Sequence, residues 1–97
     1  MISDNIKTQT EPDDQVKKFI LDLFDSNKFI EAKREIYRQI IKYPNSSILY
    51  NILGAVLSGQ NQLDKAIVSY RQAIKINPNY AQAYNNLGAA LHKLKKI

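Results

Sequence analysis

The sequence has no cysteine and a single histidine, and it contains only three glycines and three prolines. Without cysteine the chain cannot form a disulfide, a thiolate nucleophile or a cysteine-based zinc or iron–sulfur site. The scarcity of turn-forming residues argues against an all-β fold and favours helices joined by short loops. The absence of cysteine also agrees with a reducing compartment, and we predict a cytoplasmic protein.

Long apolar runs are also absent. No segment approaches the roughly 18 residues that a membrane span needs, and the start of the chain, MISDNIKTQTEPDD, lacks the apolar core of a secretion signal. The composition, 44% hydrophobic and 24% charged residues in a chain of 97, is typical of one soluble domain with a modest core. We therefore expect no membrane association, a disordered polar segment at residues 1–12, and one folded domain at 13–97.

Acidic residues are scarce in the second half of the chain. Residues 1–46 hold eight acidic and eight basic residues, whereas residues 47–97 hold one acidic residue, Asp64, and six basic ones. Such an imbalance can attract an acidic or nucleic-acid partner. Three of the six basic residues, however, lie in the last five positions, where cations suit the carboxyl end of a helix. We therefore favour a solvated helix end and rank nucleic-acid binding last among the functions considered.

Apolar residues recur at the spacing of an amphipathic helix in five successive stretches. Pro44 and Pro78 end the second and fourth stretches, because proline cannot continue a helix. An acidic residue after Pro12 and either Ser46 or Ser47 are candidate caps for the first and third. The apolar stripes are Val16, Phe19, Ile20, Leu23 and Phe24; Phe29, Ala32, Ile36 and Ile40 with Tyr37 and Ile41 beside them; Leu49, Tyr50, Leu53, Val56 and Leu57; Leu63, Ala66, Ile67, Tyr70, Ala73, Ile74 and Ile76; and Ala83, Tyr84, Leu87, Ala90, Leu91 and Leu94. We predict an all-α fold of five helices, each antiparallel to the next.

The chain repeats itself at a fixed period, which is the interval from Pro44 to Pro78. Residues 44–57, PNSSILYNILGAVL, and residues 78–91, PNYAQAYNNLGAAL, share eight identical letters at the same offsets. A period of this length, about 34 residues, indicates stacked helix pairs. We predict one unit at 13–46, a second at 47–80, and a half unit or capping helix at 81–97.

Two glycines stand in the middle of predicted helices, at Gly54 and Gly88. Glycine there costs about 1 kcal/mol relative to alanine. We therefore predict that a second helix approaches closely at both glycines, with Ala66 and Ala73 as the small residues on that helix.

With this spacing, the unit at 47–80 resembles a tetratricopeptide repeat. The matching residues are Tyr50, Leu53, Gly54, Leu57, Ala66, Tyr70, Ala73 and Pro78, and the half unit repeats the front of the pattern with Tyr84, Leu87, Gly88 and Leu91. The first unit departs from the pattern, because Ile20 replaces the glycine and Gln39 replaces a small residue. The interval from its YRQ motif to the next YRQ is also one position shorter than the period. The resemblance implies a short right-handed solenoid of antiparallel helix pairs.

The resemblance further implies that the first helix of each pair lines a concave groove that binds a peptide or protein segment. Carried over by position, the groove residues are Asp14, Lys17, Lys18, Leu21 and Phe24 from the first unit, Ile48, Asn51, Ile52 and Ala55 from the second, and Gln82, Asn85, Asn86 and Ala89 from the third. Side-chain amides both donate and accept hydrogen bonds, so they suit a peptide backbone of any sequence. A solvated polar face explains Asn51, Asn85 and Asn86 equally well.

The sequence offers no catalytic constellation. His92 has no carboxylate within a helical turn, and Glu31 and Glu35 are surrounded by basic residues, as in surface ion pairs. We predict a protein-interaction scaffold with no enzymatic activity, no cofactor and no metal. The alternative is the N-terminal recognition arm of a longer enzyme, such as a glycosyltransferase or sulfotransferase.

The last predicted helix has an apolar side without a predicted neighbour. An exposed apolar strip marks an interaction site or a truncation. We predict either self-association through Leu87, Leu91 and Leu94, with Ala90 beside them, or a longer repeat protein of which this chain is the amino-terminal part. Tyr50, Tyr70 and Tyr84 are assigned to the core, which leaves no aromatic strip for stacking nucleic-acid bases.

Overall fold

The computed structural model describes residues 9–96, and within them the chain forms five α-helices. The helices are α1 (Asp14–Asp25), α2 (Phe29–Lys42), α3 (Ser47–Gly59), α4 (Leu63–Ile76) and α5 (Ala81–Lys95). Each helix packs against the next along the chain, most extensively α3 against α4, and α5 also contacts α3. The predicted all-α array of five helices is confirmed. Residues 1–8, the larger part of the predicted disordered segment, lie outside the described residues.

The period of the sequence is also a period of the backbone. α4 begins and ends one full period after α2, and the turns before these two helices share one conformation. Asn27 and Asn61 both have a φ of 59°, and the N–H of Lys28 donates to the carbonyl of Leu23 at 2.9 Å. This is a Schellman-type helix end, in which a residue in the left-handed conformation lets the last carbonyls find donors. Asparagine tolerates that conformation better than most residues, so neither turn needs glycine there.

Side chains cap α1 and α3 at their first turns. The Asp13 carboxylate accepts a hydrogen bond from the N–H of Val16 at 3.0 Å, and the Ser46 hydroxyl accepts one from the N–H of Leu49 at 3.0 Å. Each bond satisfies a backbone donor that has no partner inside the helix. The predicted caps are therefore present, with Ser46 rather than Ser47 as the capping residue of α3.

Glu11 adds a second layer to the start of α3. Its carboxylate accepts hydrogen bonds from the Ser46 hydroxyl, from the Ser47 hydroxyl at 3.3 Å and from the N–H of Ile48 at 3.5 Å. A negative charge is favourable at this end of a helix, where the backbone donors point outward. Pro12 beside it is buried. The packed array therefore includes Glu11 and Pro12, two residues before the predicted domain boundary.

The core lies between the helices, and α3 contributes most to it because it has neighbours on both sides. Its buried members are Ile20, Ala32, Ile36, Leu49, Ile52, Leu53, Val56, Leu57, Ala66, Ile67, Tyr70 and Ala90. The predicted stripes supply all of these except Ile52, which the resemblance assigns to the groove. The structure overturns the core assignment of two other stripe residues, Phe19 and Tyr84, which are 52% and 48% exposed.

A close contact between two helices lies at Gly54. A Cβ atom on this residue would lie 2.5 Å from Cδ1 of Tyr70 and closer still to Cε1, so the tyrosine ring fills the space that any side chain would need. Burial of this ring raises the pKa of Tyr70 to about 12. The predicted close contact is therefore present, but Tyr70 makes it rather than Ala66 or Ala73.

Gly88 does not have such a neighbour. Apart from its chain neighbours and the backbone of its own helix, no atom of the described residues lies within 4 Å of the position of its Cβ, so the predicted close approach was wrong here. The reason is that α4 covers α3 at Gly54, whereas no helix of residues 9–96 follows α5.

The first unit solves the same packing problem with different residues. Ile20 and Ile36 stand one period before Gly54 and Tyr70, and both are fully buried. Two medium-sized side chains thus stand where the second unit has a glycine and a large ring. Because Ile36 takes the inward position, Tyr37 turns outward and is 50% exposed, and Ile41 is 82% exposed. Tyr37 and Ile41, which the sequence placed beside the stripe rather than in it, thus lie outside the core.

The two glycines make a matched pair for a stability measurement. We expect Gly54→Ala to lower the free energy of unfolding by about 1–3 kcal/mol, because the new methyl group overlaps the Tyr70 ring. We expect Gly88→Ala to raise it by up to about 1 kcal/mol, because alanine favours the helix and meets no atom. Urea denaturation followed by circular dichroism measures both, and equal shifts in the two variants would contradict the contact at Gly54.

Candidate functional site

A groove runs along the side of the array that is formed by α1, α3 and α5, the first helices of the successive units. Its lining consists of Leu21, Phe24, Ile48, Asn51, Ile52, Ala55, Tyr80, Gln82 and Asn86. Because these helices recur once in every period, equivalent side chains of the three helices meet at one surface. All lining residues except Tyr80 are among those that the sequence predicted for the concave face.

One wall of the groove is apolar. Leu21 on α1 is 43% exposed, and Phe24 and Ile48 are partly buried, so each offers apolar surface to the groove. The ring of Phe24 lies 5.8 Å from that of Phe29, centroid to centroid, which holds it against the start of α2. Phe29 in turn lies against Gly59, where a Cβ would be 2.7 Å from Cζ of the ring. The sequence interpretation did not assign a role to Gly59.

The floor of the groove carries a hydrogen-bond network centred on Asn51. This residue is only 4% exposed, and its amide donates to the Tyr80 hydroxyl at 3.3 Å. Its carbonyl oxygen accepts a hydrogen bond from the Asn86 amide at 3.0 Å. Asn51 thus connects α3, the turn before α5, and α5. The two predicted roles of Asn51 were a peptide-binding amide and a solvated polar residue. Neither describes it, because its side chain is buried and already forms hydrogen bonds within the fold.

Tyr80 is the groove residue that sequence reasoning missed. It precedes α5 at the position that Ser46 holds before α3, and periodicity gave no reason for a tyrosine there. Burial raises its pKa, as does the negative charge of Glu11, while the Asn51 hydrogen bond and Lys17 act in the opposite direction. The net shift is upward, so the hydroxyl stays protonated at neutral pH. Tyr80 accepts from Asn51 and keeps its own hydrogen for an acceptor in the groove.

Five predicted groove residues lie outside this lining: Asp14, Lys17, Lys18, Asn85 and Ala89. Lys17 forms an ion pair with Asp14, with 3.2 Å between Nζ and Oδ1. Asn85 is exposed on α5, and Ala89 lines a shallow depression beside the groove that also includes Lys93. Since that depression shares Phe24, Ala55 and Asn86 with the groove, the two form one continuous surface. Lys18, which the resemblance also placed there, is paired with Asp22 at 3.0 Å, and both are exposed.

The apolar strip on α5 differs from its prediction. Leu87 is partly buried against the core cluster and Ala90 is 2% exposed, so both face the array rather than an open side. The exposed apolar residues of α5 are Tyr84, Leu91 and Leu94, and Gly88 lies between the first two. The Tyr84 hydroxyl donates to the carbonyl of Pro78 at 3.0 Å, which fixes the ring beside the start of the helix.

None of the five helices is both long and apolar enough to cross a bilayer. Across residues 9–96, no three carboxylate or imidazole side chains come together in a group that could hold a metal ion. His92 is exposed on the last turns of α5.

The Asn51 network predicts coupled stability effects. We expect Asn51→Ala to lower the free energy of unfolding by about 1–3 kcal/mol and Tyr80→Phe by about 0.5–1.5 kcal/mol. In the double variant the losses should fall short of their sum by at least about 0.5 kcal/mol, because both substitutions remove the same bond. Urea denaturation of the three variants measures this coupling. Asn85→Ala is the matched control and should stay within about 0.5 kcal/mol of wild type; strictly additive losses would argue against the network.

Comparison with known proteins agrees with the helix pairs. A family profile described as TPR repeat matches residues 54–95. The tetratricopeptide repeat domain-containing protein PYG7, chloroplastic, of Arabidopsis thaliana is 41% identical over 75 residues, 72% of this chain and 25% of that protein. A peroxisomal targeting signal receptor of Candida glabrata is 29% identical over 69 residues, 70% of this chain and 12% of the receptor.

A third relative is the human protein O-mannosyl-transferase TMTC1, which is 48% identical over 46 residues, 47% of this chain and 5% of that protein. The chain thus spans a quarter or less of the length of these three relatives. From the period of the sequence, the packing of α3 on α4 and these similarities, we conclude that the chain belongs to the tetratricopeptide repeat family.

Proposed function

We propose that the chain is a non-catalytic scaffold that binds a peptide or protein segment in the groove between α1, α3 and α5. Proteins of this family serve protein–protein interaction, and one relative is named a receptor for a targeting signal. The observation that carries the proposal is the pairing of an apolar wall with an opposite wall of amides on one continuous surface.

The two walls suit two parts of a peptide. Leu21, Phe24 and Ile48 offer apolar surface for side chains, and burying one such side chain contributes about 1.5–3 kcal/mol. Gln82 and Asn86 on α5 line the groove and offer amides for the peptide backbone. The Tyr80 hydroxyl supplies one further donor beside them. Because the groove lining carries no charged side chain, the proposed ligand is recognised through apolar contacts and backbone hydrogen bonds.

A displayed library of random peptides, selected on the purified chain, tests the groove. We expect selected peptides to carry apolar anchors, and we expect Leu21→Ser to weaken their binding about tenfold or more in fluorescence titrations, equivalent to about 1.4 kcal/mol. Val68→Ser is the matched control, because Val68 is 67% exposed on α4, which contributes nothing to the groove lining. It should leave binding within about twofold. An equal loss of affinity in the two variants, or an unchanged affinity in both, would indicate that the peptide binds elsewhere.

We further propose that the exposed face of α5 docks an antiparallel helix, and the chain holds its own template for that contact. Tyr50, Leu53, Gly54 and Leu57 on α3 recur as Tyr84, Leu87, Gly88 and Leu91 on α5. α4 covers the first set and places Tyr70 on the glycine. A helix that covers the second set should therefore present an aromatic residue with alanines four residues before and three after it, as Ala66, Tyr70 and Ala73 do. In this proposal the units keep their predicted bounds of 13–46, 47–80 and 81–97, and Glu11 and Pro12 join the first.

A synthetic peptide of residues 62–77, which covers α4, tests this docking in trans. We expect it to bind the chain and to lose at least fivefold in affinity when its tyrosine, Tyr70 in the chain, is replaced by alanine. Gly88→Leu in the chain should block binding, because the new side chain fills the place of the ring. Binding that survives Gly88→Leu would contradict the docking. The predicted self-association through Leu87, Leu91 and Leu94 is a different use of the same face and stays a prediction.

The similarity to an O-mannosyl-transferase favours a second candidate, in which the array is the recognition arm of a longer enzyme. That similarity covers repeats alone, so any chemistry would belong to another domain, and the complete reading frame tests this directly. A cytoplasmic location also stays a prediction, which a fluorescent fusion in the source cell would check.

A further inference from the structure

α2 carries a second apolar stripe on the side away from the core. Ile30, Tyr37 and Ile41 are 65%, 50% and 82% exposed, and Arg34 is exposed between them. At about 3.6 residues per turn these four positions fall within an arc of roughly 60°. The buried residues of the helix, Ala32, Ile36 and Gln39, point to the opposite side. α2 is therefore apolar on two faces, only one of which the described array covers.

The equivalent helix shows that the repeat does not require this stripe. The residues one period later on α4 are Asp64, Val68, Arg71 and Lys75, all exposed, and three of the four are charged. α4 nevertheless packs on both of its neighbours. Isolated apolar residues on a surface are common, but an aligned set at the spacing of a helix–helix contact marks an interface. Relative to the period, the YRQ motif begins one position later in α2 than in α4. This shift places Tyr37 on the outer face rather than on the inner one.

We propose that the outer stripe of α2 is an interface between two copies of this chain, in which α2 pairs antiparallel with α2 of the second copy. An interface between identical copies about a twofold axis must be self-complementary. If the axis passes between residues 35 and 36, Ile30 of each copy meets Ile41 of the other, and Arg34 of each meets Tyr37 of the other. The stripe is thus apolar at both ends, and a guanidinium faces an aromatic ring at the centre, an arrangement that cation–π attraction favours.

The charges beside the stripe select the antiparallel orientation. Glu31 and Arg38 lie on the same side of the stripe, seven residues apart. In the antiparallel pair Glu31 of one copy faces Arg38 of the other, and this contact occurs twice. A parallel pair about a twofold axis would instead place these residues of the two copies on opposite sides of the interface, so the contact between Glu31 and Arg38 could not form. Arg38 is available for such a contact, because its guanidinium is 65% exposed and lies 3.5 Å from Glu35, its ion-pair partner within the described chain.

The short stripe limits the strength of this dimer. Stable protein interfaces bury about 1,200–2,000 Å², more than two short helices crossing along four residues each can supply. The dimer should therefore depend on protein concentration. Since α2 contributes no residue to the groove lining, both grooves stay open in the dimer. Two open grooves on one particle let it hold a ligand with two binding segments more tightly than a single chain does.

Sedimentation equilibrium from about 1 μM to 1 mM tests the interface. We expect the average mass of the wild type to rise from 11.1 kDa towards twice that value, and Ile41→Ser to weaken the association at least tenfold. Val68→Ser, at a position 67% exposed on the outer face of α4, should leave it within twofold of wild type. Thermal melts followed by circular dichroism show whether the variants stay folded. A wild type that remains monomeric at all concentrations overturns the proposal. If association is lost in Leu91→Ser but not in Ile41→Ser, the interface lies on α5 instead, which also overturns it.

Charge reversal tests the orientation. We expect Glu31→Arg and Arg38→Glu each to weaken the dimer several-fold, because each sets like charges opposite one another. The chain with both substitutions should recover the wild-type association, since it restores two opposite-charge contacts. Failure of the double variant to recover, with the helices intact, contradicts the antiparallel pairing. These variants leave the groove unchanged, so peptide binding measured beside them separates failure of the dimer from failure of the proposed ligand site.

Cross-linking gives a geometric check, which the absence of native cysteine makes simple. A mixture of Ile30→Cys and Ile41→Cys chains should form a disulfide-linked heterodimer under mild oxidation. Neither variant alone should link efficiently, because residues 30 and 41 are about 16 Å apart along a helix and identical positions do not meet. Efficient linking of each variant with itself would indicate a parallel pair and overturn the proposed arrangement.

Discussion

The contact of the Tyr70 ring with Gly54 is the constraint on which the array depends. It sets the distance between the two helices of a unit, because a ring can lie flat on a backbone only where no side chain intervenes. With that distance fixed, Leu53, Val56 and Leu57 of α3 are buried on the remaining contacts, and α3 becomes the centre of the core. The first unit reaches similar packing with Ile20 and Ile36. Both positions are therefore buried in each unit, although only the second unit fills them with a glycine and a ring.

This packing also determines which surface remains for function. α4 covers one side of α3, so the other side, with Ile48, Asn51 and Ala55, faces α1 and α5 across the groove. Such a surface would shift if the helices moved independently, and the Asn51 network restrains that movement by joining α3 to α5 and to the turn before it. The buried amide thus serves binding indirectly, by fixing the wall on which the exposed amides of α5 lie.

The sequence predicted the helices and their period, because both depend on local periodicity and on identical letters that recur one period apart. The groove residues came from the family resemblance instead, and eight of the nine lining residues are among those that it assigned. The sequence did not predict features that depend on how two repeats differ. Tyr84 matches Tyr50 letter for letter, yet its exposure depends on whether a helix follows it. Asn51 matches Asn85 in the same way, yet Asn51 is buried because Tyr80 and Asn86 reach it. A repeat pattern describes the average environment of a position, and these residues have environments set by their neighbours.

The two repeats differ most clearly on the outer faces of α2 and α4. Both helices must present small or apolar residues inward at the same positions, so selection for folding acts on those positions alike. Their outward positions contribute nothing to the packing of the array and are free to differ, and there α4 has Asp64, Arg71 and Lys75 where α2 has Ile30, Tyr37 and Ile41. A solvent-facing position gains no stability from an apolar side chain while it stays exposed. The aligned apolar residues of α2 therefore stabilise the protein only when another surface covers them. Their flanking charges are complementary about a twofold axis, which favours a second copy of the chain as that surface.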